Sequence, residues 1–308
     1  MSEPSNPAAL PGSEIDFRDA QAVADVLLNA AKAHLSHPRL KGSVVVLKQK
    51  MRGSNNIGRV VMTGDLHDHG QNLMRILKYA NPAKRRDDYL ILHEVIHGEN
   101  ITNDVDLSVR MLVRTAALKL MYPEQVLMLQ SNHELAQRNG EGILKASGNQ
   151  IKQFDEGLDY LFGNDSEVVR QAVNKYVASL PLAVLLPNGV MCCHSLPSPR
   201  KMDAFDARVL TRRCSDEDLA SKGSAHLMVW GRRHSAEQGL KLGKMWGVKQ
   251  FVMGHQKAEM GYEEEGDNML ILASNHDHGV LLPIELDKTY DQEALVGAVV
   301  RLGGVLLD

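Results

Sequence analysis

Residues 60–69 read Val-Val-Met-Thr-Gly-Asp-Leu-His-Asp-His. The run Val60–Thr63 is short and almost wholly apolar, the signature of a strand buried on both faces, and Gly64-Asp65 opens a loop crowded with carboxylates and imidazoles. The pattern recurs. Tyr89–Leu92 runs into His93-Glu94-Val95-Ile96-His97, and Val126–Leu129 into Ser131-Asn132-His133-Glu134. Val190–Cys193 leads to His194-Ser195, Phe251–Met253 to Gly254-His255, and Met269–Ala273 to Ser274-Asn275-His276-Asp277-His278. Most of the chain's 13 histidines lie in these loops. Any one of them alone reads as a surface or satisfied core residue. Recurrence at the same end of successive strands points elsewhere. Ligands of open sheets with helical crossovers bind beyond the carboxyl ends of the strands, so these loops are expected to converge.

Outward from them, Val44–Leu47 and Leu182–Leu186 read as two more buried strands, and Asn188-Gly189 marks a tight hairpin into Val190. Apolar periodicity predicts helices over Asp16–Leu35, closed by Pro38, and over Asp104–Met121, stopped before Pro123. Two further helices are Glu167–Ala178, capped by Asp165 or Ser166, and a segment opened by Ser235 and running to Trp246. Strands joined by both helices and a hairpin make an α/β fold with a mixed sheet. Residues 1–15 read as a loose tail and 16–308 as one domain, with a helical insert at about 135–180. Gly140, Gly142, Gly148, Gly157 and Gly163 give that insert the look of a mobile segment. The charged runs at residues 84–88 and Glu263–Glu265 read as solvated loops.

Composition narrows the function classes. With 308 residues, 44% hydrophobic and 24% charged, the chain has globular composition and needs no disulfide or metal staple to fold. A net charge of −3 provides no footprint for a nucleic-acid backbone or an anionic membrane, so neither is expected as a partner. The three cysteines, Cys192, Cys193 and Cys214, are too few for a disulfide framework and suit a reducing compartment. No apolar stretch is long enough to cross a bilayer and no basic leader precedes an apolar run, so a soluble, cytoplasmic protein is expected.

The loop side chains are imidazoles, carboxylates and an amide without a thiolate, a ligand set for manganese, iron or zinc. Asp65 and His67, two apart, can share one cation if the loop turns. A carboxylate from the next strand can bridge to a second, and a cation pair serves in-line displacement at phosphorus.

In order along the chain, Gly64-Asp65-Leu66-His67, Ser131-Asn132-His133-Glu134, His194-Ser195-Leu196-Pro197 and Gly254-His255 resemble the blocks of calcineurin-like metallophosphoesterases. The likeness is to the phosphoprotein phosphatase branch, spans roughly Val60 to Leu286, and takes in Leu73-Met74-Arg75-Ile76, Leu180-Pro181-Leu182 and Val229-Trp230-Gly231-Arg232. It implies a layered αββα sandwich of two mixed β-sheets, and two divalent metal ions, manganese first, with iron or zinc as alternatives. One metal is implied on Asp65 and His67, and the other on Asn132, His194 and His255. Glu94 takes the bridging place that the family gives to aspartate, with His93 and His97 as alternative ligands. His133 is implied as the general acid and Arg232 as a catalytic, phosphate-clamping residue. Departures are as informative. His97 stands where the family has the aspartate that holds the acid, and Gly98 and Gln130 stand where it has two phosphate-binding arginines. Arg233, His69, Asp68, His276 and His278 are candidates to replace that clamp. The expected function is a phosphomonoesterase acting on a phosphoprotein or small phosphorylated metabolite. A phosphodiesterase or dinucleoside polyphosphate hydrolase is the alternative enzyme, and a metal-binding scaffold of weak activity the alternative of another class. The oligomeric state stays open.

Overall fold

The computed structural model describes residues 11–307, apart from 13, 49–57, 99–100, 102, 104 and 146–147. Most of the expected N-terminal tail, and the start of the expected helix at Asp104, lie outside the described residues. The chain runs through α1 (Ala20–Leu35), β1 (Leu40–Lys41), β2 (Val44–Val46), β3 (Arg59–Thr63), α2 (Gly70–Ala80), β4 (Tyr89–Leu92), α3 (Val109–Met121) and β5 (Val126–Met128). There follow α4 (Asn132–Asn139), the small pair β6 (Leu144–Lys145) and β7 (Gly148–Asn149), α5 (Gln150–Phe162) and α6 (Ser166–Ala178). The rest comprises β8 (Ala183–Leu185), β9 (Val190–Cys193), α7 (Asp216–Leu219), α8 (Ser224–Trp230), α9 (Ala236–Trp246), β10 (Gln250–Met253), β11 (Tyr262–Glu265), β12 (Met269–Leu272), β13 (Val280–Glu285), α10 (Gln292–Gly297) and β14 (Val300–Arg301).

Two mixed sheets form, a seven-stranded one in the order β1-β2-β8-β9-β10-β12-β11 and a five-stranded one in the order β14-β13-β3-β4-β5. Strand periodicity explains how they stack. In β3, Val60 and Met62 join an apolar cluster with Val184, Cys192, Val252 and Leu270 of the other sheet, while Val61 between them faces helices α1, α3 and α6. In β12, Leu270 and Leu272 point into that shared layer, and Met269 and Ile271 point outward onto Met228, Val229 and Leu242 of α8 and α9. Strands apolar on both faces thus become the two inner layers of an αββα sandwich.

The sheets share one feature that builds the site. β3, β4 and β5 are parallel neighbours in the smaller sheet, and β9, β10 and β12 are parallel neighbours in the larger. Their carboxyl ends meet where a parallel bridge pairs Asp65 with Ala273. Gly64 N–H donates to Ser274 Oγ at 2.9 Å, and Ser274 N–H to Asp65 O at 3.0 Å, stitching the sheets together there.

Five expectations change. Glu263–Glu265 belongs to the outer strand of the larger sheet rather than a loop; the strand pairs with β12 on one side, Glu263 and Glu264 are exposed and charge an otherwise open edge, and half-buried Glu265 accepts the His234 backbone N–H at 2.9 Å. Asn132 and His133 open α4 instead of lying in a loop, with Ser131 accepting Glu134 N–H as its cap. The first helix begins at Ala20, capped by Asp19. Within the helical segment, Gly157 is a packing residue: a Cβ there would stand 1.9 Å from Asp106 O, so its absence lets α5 approach that backbone. The run at residues 84–88 is not wholly solvated either, since Asp88 is buried and paired with Arg59 at 2.7 Å. The three cysteines are unbonded, and among the described residues no helix is long and apolar enough to cross a membrane.

Candidate metal centre

The loops after β3, β4 and β10 turn sharply as they leave their strands. His67, Asp68, Glu94, His97 and His255 adopt left-handed backbone angles, with φ of 43°, 57°, 47°, 59° and 68°. A non-glycine residue held there costs roughly 1–3 kcal/mol, a strain found where surrounding structure over-determines a functional loop. Here the result is that side chains from five strand ends point inward.

Glu94 lies at the middle. Its Oε1 is 3.0 Å from His67 Nε2 and 3.8 Å from His133 Nε2, while Oε2 is 3.0 Å from His194 Nε2. Beyond His194 Nε2 stand Asn132 Oδ1 at 2.8 Å and His255 Nδ1 at 3.2 Å, themselves 2.8 Å apart. The close donor groups are His67–Glu94–His133, Glu94–His194–His255, and Asp65–His93–His194, each with its ligand atoms within 4.8 Å of one another. Asp65 thus falls into a group with His93 and His194 rather than with His67, because its carboxylate turns to accept the His255 backbone N–H at 2.9 and 2.8 Å.

The residues fit a cation. Glu94 Oε2 is buried without a hydrogen bond of acceptable geometry, 3.0 Å from His194 Nε2, and that nitrogen, Asn132 Oδ1 and His255 Nδ1 lie 2.8–3.2 Å from one another, an arrangement that protons alone satisfy only pairwise. This is the donor chemistry of manganese, iron or zinc.

The electrostatics agree. Burial raises the Asp65 carboxyl, with the Glu94 charge adding to it, against the pull of His194 and His67. Burial also works to raise Glu94, yet His133, His194 and His67 outweigh it and hold Glu94 well below the usual carboxylate range. Burial pushes His255 down, helped by His194 and Arg232. A buried site that keeps one carboxylate ionised among imidazoles is prepared for positive charge.

Sequence reasoning leaves Glu134 without a role. Burial and the Glu94 charge push its carboxyl up to about 7, while Oε1 accepts the Val95 N–H at 2.7 Å, tying α4 to the loop carrying Glu94. Its signal is the Ser131-x-x-Glu134 spacing of a capping box. His97 is brought onto His133, Nδ1 to Nδ1 at 3.0 Å. Arg232 Nε donates to His255 Nε2 at 2.9 Å, which sets the guanidinium at the rim. Arg233 is exposed, with its backbone N–H on Gln256. His69 caps α2 by accepting Asn72 N–H and, with His67, Gln71, Asn275 and His276, lines a cavity of about 440 Å³. The two lost arginine positions offer nothing to a substrate: Gln130 is buried, and at Gly98 a Cβ would meet Asp68 Cβ at 2.7 Å.

With the geometry in place, comparison with known proteins supplies the family. The sequence profile of the calcineurin-like phosphoesterases matches residues 58–281, and the chain belongs to that family. It is 23% identical over 235 residues to a serine/threonine-protein phosphatase of Caenorhabditis elegans, covering 72% of this chain and 48% of that protein. It is 26% identical over 184 residues to one of Arabidopsis thaliana, covering 58% of this chain and 15% of that protein. The chain therefore spans about half or less of the length of these relatives. Among solved structures, a protein serine/threonine phosphatase of Saccharomyces cerevisiae superposes with a TM-score of 0.66 at 13% identity, over 91% of this chain and 88% of that one. A cold-active protein-tyrosine phosphatase of Shewanella gives 0.52 at 13% identity, over 88% and 84%. Both share the fold.

Proposed function

We propose that this chain is a metal-dependent phosphohydrolase that cleaves phosphomonoesters at the Glu94 centre. The observation that carries the reading is Glu94 itself, whose two oxygens face different imidazoles, His67 and His194, as a bridging carboxylate must. Two divalent cations, manganese first, held by Asp65, His67, Glu94, Asn132, His194 and His255, would supply Lewis acidity toward phosphoryl oxygens and lower the pKa of water.

The chain's own groups supply the rest. His133 Nε2, 3.8 Å from Glu94 Oε1, is the imidazole placed to protonate the departing alkoxide. Arg232 is the substrate clamp. A neutral His255 that accepts from Arg232 at Nε2 carries its proton on Nδ1, so ligation through Nδ1 requires the proton on Nε2, where it would confront the arginine N–H. A cation on His255 Nδ1 would thus weaken the hold of the ring on Arg232. With the centre loaded, the guanidinium would be available to phosphate oxygens. The names of the worm and plant relatives favour a phosphoprotein substrate over a small metabolite. One observation favours a second reading, phosphodiester hydrolysis: Gln130 and Gly98 give no bidentate donor for a dianionic monoester.

The test is manganese-loaded protein assayed on an aryl phosphate and a bis-aryl phosphate beside Asp65→Asn and His133→Asn. Monoester turnover that falls by a factor of about 10²–10⁴ in His133→Asn supports the reading. Diester preference supports the second, and metal binding without turnover overturns both in favour of a scaffold.

A further inference from the structure

The loop His93-Glu94-Val95-Ile96-His97 places an imidazole on each side of the bridging carboxylate, and neither imidazole has the role of its neighbours. His93 is wholly buried, with Nε2 2.9 Å from Thr63 O and Nδ1 3.0 Å from His194 Nδ1. A carbonyl only accepts, so His93 carries a proton on Nε2. His194 directs Nε2 at Glu94, Asn132 and His255. As a neutral ligand through Nε2 it must carry its proton on Nδ1, and the nearest acceptor that Nδ1 faces is the His93 Nδ1 lone pair at 3.0 Å, with Asp65 Oδ1 farther off at 3.6 Å. The chain Thr63 O, His93, His194 is thus a consistent sequence of donors and acceptors ending in a lone pair aimed at the centre.

The same construction appears on the other flank. Gln137 Nε2 donates to Asp155 Oδ1 at 3.1 Å, which fixes the amide and turns its Oε1 toward His97 Nε2 at 3.0 Å. His97 therefore holds its proton on Nε2 and offers Nδ1 to His133 Nδ1 at 3.0 Å. His133, donating from Nδ1, is left with Nε2 facing Glu94, where it carries a second proton, as imidazolium, when it acts as the acid.

We propose that His93 and His97 are positioning residues and not metal ligands: each acts as a neutral acceptor that holds an inner imidazole, His194 or His133, in the tautomer and orientation that direct its Nε2 to the centre. Partners of this kind set ring orientation and ligand basicity. The inference rests on the reading of Glu94 as the core of a metal site. It gives a physical reason why a loop lacking the family's second aspartate keeps an orienting group for His133.

The experiment compares Leu and Asn substitutions, because an Asn amide oxygen stands close to where imidazole Nδ1 stood and keeps the acceptor, whereas Leu removes it. Manganese affinity is measured by competition with a chelator, stoichiometry by native mass spectrometry, and folding by circular dichroism. Wild type is measured first; if it retains no metal, the site reading fails, and this proposal with it, before any variant is made. His93→Leu is expected to bind about 10–100-fold more weakly, with His93→Asn within about threefold of wild type and both at wild-type stoichiometry. Equal affinity in His93→Leu overturns the proposal. Loss of a bound ion from both variants makes His93 a ligand and also overturns it. His97→Leu is expected to keep manganese affinity while kcat on an aryl phosphate falls at least tenfold at unchanged KM, with recovery in His97→Asn. Loss of metal from folded His97→Leu, or an unchanged kcat, overturns the second half. If the Leu variants do not fold, the Asn variants carry the test: weakened affinity at His93 or lowered kcat at His97 overturns the proposal, and wild-type values support it.

Discussion

Gly254 shows how tightly single residues are specified. A Cβ built on it would lie 2.2 Å from Asp65 Oδ1 and 2.5 Å from His93 Cε1, so the missing side chain is the space in which the Asp65 carboxylate turns toward the His255 N–H. Gly254→Ala is expected to push Asp65 off that N–H and to weaken manganese retention at least tenfold, whereas exposed His278→Ala leaves it unchanged. Chelator competition on the two variants decides the point; equal retention would mean that Asp65 is not held as described. This detail was beyond reach in the sequence. The histidine loops identify which residues gather, because apolar runs locate strand ends and the polar residues after them have to share one edge. Which nitrogen each ring presents depends on carbonyls and amides far away in sequence, such as Thr63 O and Gln137 Oε1, and on left-handed turns at His67, Glu94 and His255 that no local rule requires. Asp65 and His67 illustrate the limit: two-residue spacing suggests a shared cation, but the Asp65 carboxylate is drawn to the His255 N–H, and the two fall into different donor groups.

At the scale of elements, the site depends on the two sheets touching at their carboxyl ends. Gly64 makes the contact possible, since a Cβ there would stand 2.2 Å from Leu272 O, 2.3 Å from Leu272 C and 2.5 Å from Ala273 Cα, all of them backbone atoms that cannot rotate away. Gly64→Ala is expected to force the bridge between Asp65 and Ala273 apart and to destabilise the fold by about 1–3 kcal/mol, the usual cost of overpacking. Urea unfolding reads this as a lower midpoint at unchanged slope, and an unchanged midpoint would show that the sheets separate without cost. The same scale explains which strands were legible. Those carrying site loops are continuous apolar runs and stand out, with Tyr89–Leu92 and Val190–Cys193 matching residue for residue. Val280–Glu285 does not stand out, because Pro283 interrupts it. The structure accommodates the proline past the end of β14, which pairs only with Val280 and Leu281 and leaves an open edge beyond.

For the whole molecule, the expected consequence is a stability that responds to cation binding and to pH. Burial raises Asp65 to about 6, with Glu94 adding to the shift, and raises Asp68 to about 7 with help from Asp106, and Glu134 to about 7 with help from Glu94. Each of these carboxyls binds its proton more tightly folded than unfolded. Without a cation, the stability they contribute is therefore greatest below their ordinary carboxylate range and is lost as pH rises through about 6 to 7. Cation binding acts in the opposite direction. A protonated Asp65 has to give up its proton to ligate, so affinity for manganese, and with it the added stability RT ln(1 + [L]/Kd), grows as pH rises through the same interval. Chelator should lower the thermal midpoint, added manganese should restore it, and the gap between the loaded and stripped protein should widen from about pH 5 to about pH 8. Differential scanning calorimetry at fixed free manganese measures that gap directly. A gap that is constant or narrows with rising pH would mean that the buried carboxylates do not exchange protons for the cation.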